Sequence, residues 1–74
     1  MTIKSYLVFP KTGKQSELYE ELKGYSWIQV FQPKNNSVIV IVTEASSDEE
    51  DKQIDLLNQM QNLDHYSLVS VFKE

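Results

Sequence analysis

Five consecutive β-branched aliphatics, Val38-Ile39-Val40-Ile41-Val42, constrain the fold of this chain more than any other segment. Successive side chains of a strand point to opposite faces of its sheet. Val38, Val40 and Val42 therefore look one way and Ile39 and Ile41 the other. One set can be buried by helices, and the other needs a second cover. A chain of 74 residues makes one domain, 1–74, near the lower size at which a single core sustains itself, so it has little material to cover both faces. The surplus face is a candidate binding surface.

The rest of the chain supplies the partners of this strand. Ile3, Ser5, Leu7 and Phe9 alternate with Lys4, Tyr6 and Val8, and Pro10-Lys11-Thr12-Gly13 closes that first strand. Leu18 and Leu22, four apart, with Tyr25 three further on, predict a helix over 14–23 that leaves Glu17, Glu20 and Glu21 to water. Gly24 stands where a helix C-cap is expected. A second strand over 26–32 sets Trp27, Gln29 and Phe31 against Ile28 and Val30, and the turn formers Pro33 to Ser37 join it to the apolar run as a hairpin. Ser47-Asp48-Glu49-Glu50 matches a capping box, and acids at 48–51 suit the positive end of a helix dipole. The helix it opens is predicted to run from Asp48 to Leu63, with Ile54, Leu57, Met60 and Leu63 in one stripe and Leu56 widening it. After Asp64-His65 a last strand over 66–72 sets Leu68, Ser70 and Phe72 against Val69 and Val71.

The order is β-α-β-β-α-β. It predicts a ferredoxin-like α+β sandwich, a four-stranded antiparallel sheet with both helices on one face, because right-handed crossovers place them on the same side. Tyr6, Val8, Trp27, Phe31 and half of the Val38 to Val42 run are the expected occupants of the open face. Parity does not say whether the valines or the isoleucines turn toward the helices, since both are apolar. The same holds for Leu68 and Phe72.

Composition removes several function classes. Without cysteine there is no disulfide, thiolate nucleophile or cysteine-based metal site. His65, the only histidine, has no second histidine or thiol to complete a metal set or a nucleophile pair, so no catalytic residue, metal or cofactor is expected. The seven cations are all lysines and the net charge is -4. Arginine forks and bidentate guanine contacts are thus missing, and nucleic acid is a poor partner. A basic peptide or protein surface suits the charge better. No stretch is long and apolar enough for a signal peptide or a membrane-spanning helix, which leads to the expectation of a soluble, cytoplasmic protein without membrane insertion.

Several segments resemble one family, the NapD chaperones of the periplasmic nitrate reductase. They are Ser5-Tyr6-Leu7-Val8, Trp27-Ile28-Gln29-Val30, the small residue and apolar run Ser37 to Val42, and Leu68-Val69-Ser70-Val71-Phe72 in the closing strand. The similarity spans nearly the whole chain, although Gly24-Tyr25 and Asp64-His65 stand where the family usually has Pro-Gly. The resemblance implies a chaperone, not an enzyme, that binds the twin-arginine signal peptide of the nitrate reductase catalytic subunit and delays its export until the cofactor-containing enzyme has folded. It further implies that the signal segment folds as a helix against the open sheet face. Tyr6, Val8, Trp27, Gln29, Phe31, Leu68 and Phe72 are the expected contacts, on a monomer or weak dimer. Ligand-sensing or homo-oligomerising domains of the ACT and Lrp-regulator type share the element order and are the alternative. Their ligands usually lie near glycine-bearing loops, and glycine occurs here only at 13 and 24.

Overall fold

The computed structural model describes residues 1–31 and 38–73; the turn expected at Pro33 to Ser37 lies outside them. The elements are β1 (Thr2–Pro10), α1 (Gln15–Lys23), β2 (Ile28–Phe31), β3 (Ile39–Ala45), α2 (Glu50–Gln59) and β4 (Leu63–Lys73). They form one antiparallel sheet in the order β2-β3-β1-β4, the ferredoxin-like arrangement. β1 and β3, the central pair, carry the residues that fix the core.

Beneath the helices lie Tyr6 and Val8 of β1, Ile39 and Ile41 of β3 and Ile28 of β2. Leu18 and Leu22 of α1, Leu57 of α2, and Met60 and Leu63 close over them. The isoleucines therefore face inward, and the valines of the same strand face away. Glu44 sits in the valine series, two residues beyond Val42, and is exposed. A buried charge without a partner is costly, so that series is the one that must meet water.

Two of the expected open-face residues belong to the core. Tyr6 and Val8 are 4% and 0% exposed. The Tyr6 ring meets Tyr66 edge-on at 5.6 Å, and burial pushes its phenol above the ordinary tyrosine range. Their strand neighbour Lys4 is held on this side by α2, its Nζ lying 3.1 Å from Glu50 Oε1. The remaining series of β1, Ile3, Ser5, Leu7 and Phe9, is thereby turned to the open face.

Leu68 is also displaced from its expected face. β4 pairs Ser5 with Ser70 but Tyr6 with Leu68, so Val69 is an extra, bulged residue. A bulge inserts one residue and reverses the face parity beyond it. Phe72 and Ser70 stay on the open face with Ile3 and Ser5, whereas Leu68 joins Tyr6 on the helix side.

The helix ends differ from expectation by a few residues, each for a visible reason. Glu49, not Glu50, reaches back: its Oε1 accepts from the Ser46 backbone N–H (3.1 Å) and hydroxyl (2.8 Å). Glu50 is left free for Lys4 and for the Thr2 hydroxyl (3.4 Å). At the other end α2 stops at Gln59 because Met60 is extended (φ -70°, ψ 120°), which lets β4 begin at Leu63 while both side chains stay buried. Gln53, one of the few buried polar residues, donates to the Glu44 carbonyl at 2.9 Å and ties α2 to the end of β3. Gly24 does cap α1, but in right-handed geometry (φ -74°), its N–H bonding the Glu21 carbonyl. Left-handed backbone occurs instead at Gly13 (φ 78°), in the turn after β1.

Two measurements check this arrangement. In urea unfolding, Tyr6→Ala and Leu57→Ala should each remove about 2 to 5 kcal/mol, whereas Phe31→Ala, on the other face, should cost about 1 kcal/mol or less. In acid, Glu49 and Glu50 both ionise below the ordinary glutamate value of 4.5, Glu49 through its bonds from Ser46 and Glu50 chiefly through that from Lys4. Their contribution is complete above that value and disappears as pH falls through the lowered ones. The Glu49→Gln/Glu50→Gln double variant should consequently lose Tm less steeply than the parent between neutral pH and about pH 3.

Candidate functional site

The face away from the helices is built in cross-strand rows. Phe31, Val40, Leu7 and Ser67 form one row from β2 across to β4, and Gln29, Val42, Ser5 and Ser70 the next. A third joins Glu44, Ile3 and Phe72. Residues of one row are lateral neighbours, so its apolar members lie side by side, and in the row between the other two only Val42 is apolar. Phe31 is 48% and Phe72 60% exposed, while Ile3, Leu7, Val40 and Val42 are half-buried.

The two ends of this face differ in chemistry. At one end the Glu44 amide donates to the Trp27 carbonyl at 3.1 Å, extending the β2–β3 ladder by one bond. Trp27, Gln29, Val42 and Glu44 line a shallow depression there, and Trp27 and Glu44 also border a second one with Met1 and Glu49. The Trp27 ring is half-buried, packed against the core's edge and tilted against Tyr25 with ring centres 5.5 Å apart. At the other end His65 stacks flat on Phe9, with ring centres 4.3 Å apart and planes at 11°. Its Nδ1 lies 2.8 Å from Asp64 Oδ2.

Of the residues expected to form a binding face, Trp27, Gln29, Phe31 and Phe72 lie along it or at its end; Tyr6, Val8 and Leu68 do not. The valines of β3 and Ile3, Leu7 and Phe9 of β1 take their place. Glu44, sharing parity with Val40 and Val42, was the signal in the sequence that this series faces solvent. No comparable signal marks the bulge at Val69. Among the described residues, no group of three or more His, Cys, Asp or Glu side chains is placed to hold a metal, and no helix is long and apolar enough to cross a membrane.

No family model matches the chain, and no curated protein matches it. Among solved structures it is similar to the crystal structure of a hypothetical protein from Pyrococcus horikoshii, with a TM-score of 0.85 and 16% identity, over 100% of this chain and 92% of that one. At that identity the likeness carries the fold alone, and the fold is ferredoxin-like α+β.

Proposed function

We propose that the open sheet face receives the apolar stretch of a signal-type peptide, and that the chain is a chaperone of the kind its sequence resembles, acting on a twin-arginine signal segment in the cytoplasm. The observation that supports this most is the apolar surface running from Phe31 through Val40 and Leu7, and from Ile3 to Phe72, on a side no helix covers. Apolar side chains gathered on one uncovered face of a small protein are a reason to look for an interaction site there.

The energetics are adequate. Ordering a disordered segment costs about 2 to 5 kcal/mol, and each large apolar side chain fully removed from water returns about 1.5 to 3 kcal/mol. Four such contacts, counting the peptide's own side chains, exceed that ordering cost even at the lower figure. A helical segment of about 12 residues is about 18 Å long, within the 36 Å long dimension of the molecule. The acidic end at Glu44, beside the Trp27 indole, suits a guanidinium through charge and through the ring face. The net charge of -4 adds long-range attraction for a basic peptide. Occupying the signal hides it from the export machinery, so regulation by competition requires no chemistry from the chain.

Calorimetry with a twin-arginine signal peptide tests this reading, with a lysine-substituted peptide as control. Binding should weaken at least tenfold, about 1.4 kcal/mol, with Leu7→Ser or Phe31→Ser. With Glu44→Gln it should lose part of its preference for arginine over lysine and part of its salt dependence. Absence of heat and of chemical-shift change at millimolar peptide overturns the reading.

A further inference from the structure

The sheet has two edges, and they are unlike. β2, at one, is four residues long; β4, at the other, is eleven and has only β1 beside it. Proteins guard free edges with short strands, charges, prolines or bulges, because unpaired N–H and C=O groups invite another strand. From Tyr66 to Phe72, β4 contains no charge, proline or glycine, and its only guard is the bulge at Val69. It also carries four of the seven large hydrophobics exposed among the described residues: Leu68 (50%), Val69 (59%), Val71 (45%) and Phe72 (60%). Leu68 and Val71 lie on the helix side, beside Tyr6 and Lys4, and Phe72 on the open side, beside Ile3. A peptide resting on the open face alone leaves Leu68 and Val71 uncovered.

We propose that β4 is where a second copy of this chain adds, β4 against β4 and antiparallel about a two-fold axis, making one eight-stranded sheet. The strand is self-complementary in that sense. Its charges stand at opposite ends, Asp64 and Lys73, so one antiparallel register brings each Lys73 alongside Asp64 of the second copy, a residue that a second register shift between His65 and Leu63 sets out of the β1–β4 ladder. The register that does so also sets Val71 against Tyr66, Phe72 against His65 and Ser70 against Ser67. Each of these pairs shares a face: Val71 and Tyr66 are on the helix side with Lys4 and Val8, and the other four residues are on the open side with Ile3, Phe9, Ser5 and Leu7. In a strand without a bulge that register would oppose residues of different faces. The extra residue at Val69, near the strand's middle, brings the charge match and the face match into agreement. An isologous contact needs this self-complementarity. The neutral stretch between the charged ends also lets two acidic chains meet without setting like charges together.

Pairing along the β4 edge uses a different surface from a peptide laid on the open face. Sedimentation equilibrium on the intact chain should give about twice 8.6 kDa at tens to hundreds of micromolar. Val71→Lys should shift the dissociation constant at least tenfold while circular dichroism stays unchanged, and Leu7→Ser, on the open face, should leave it within twofold. Lys73→Asp should weaken association, and adding Asp64→Lys should restore it. Hydrogen exchange of β4 amides should slow as concentration rises. A monomer at millimolar concentration overturns the proposal. So does a dimer lost with Leu7→Ser but kept with Val71→Lys, which would be packing of sheet faces.

Discussion

Two short helices cannot roof the sheet they pack on. With nine and ten residues, α1 and α2 are about 14 and 15 Å long, whereas the eleven residues of β4 extend about 36 Å. Coverage is therefore concentrated on the central strands, where Ile41, Val8, Leu18 and Leu22 are wholly removed from water and Leu57 nearly so. Everything else about the surface follows from this shortfall. The valine face is open because no element among the described residues lies over it, and Leu68 and Val71 are half exposed because the helical layer ends before it reaches them.

Where that layer ends is set by a few polar contacts at the start of α2. Glu49 folds back onto Ser46, Glu50 reaches Lys4 and Thr2, and Gln53 holds the Glu44 carbonyl. These bonds fasten the helix over the end of β1 and β3. Tyr66, bonded through its hydroxyl to Asn58 at 2.9 Å, marks the limit of the cover on β4. Beyond Tyr66, every described residue of β4 is exposed. The contacts are partly solvated and each is worth little alone, but they choose which strands are roofed, and that choice leaves both the open face and the free edge.

The element order was legible because each element had its own signal: alternation in the strands, the Leu18–Leu22 and Leu57–Met60 spacings in the helices, and acids before α2. The faces were less legible, because the apolar residues alone left both parities open and only a charge in one series could decide between them. On β3, Glu44 separates the valines from the isoleucines. On β1, Lys4 shares a series with Tyr6 and Val8 and points the wrong way, since it is not free in solvent but paired with Glu50 across 46 residues of sequence. A long-range ion pair of that kind cannot be read from local pattern. Nor can the bulge at Val69, where five residues in a row, Leu68 to Phe72, fit a regular strand as well as an interrupted one. The capping box expected at Ser47 and Glu50 does not form, and no side chain caps α2; only its reach-back half occurs, one residue earlier and ahead of the helix, from Glu49 to Ser46, because the two serines and two glutamates offer two frames. Tertiary contact with Lys4 selects between them.

A surface that a short chain cannot cover has two physical resolutions, and the sheet's geometry keeps them apart. Apolar side chains projecting from the open face are satisfied by something laid across the strands, whose own backbone must already be hydrogen-bonded, as in a helix. The backbone of an edge strand is satisfied only by another strand in the plane of the sheet. These directions are perpendicular, so a partner along β4 does not obstruct one on the Phe31–Leu7 row, and it enlarges the platform by continuing its rows into a second copy. Association through the edge would thus raise the apolar area offered to a long segment without altering a residue of the face. The bulge at Val69, which in a monomer only weakens an edge, becomes in that assembly the feature that allows opposite charges and like faces to meet in one register.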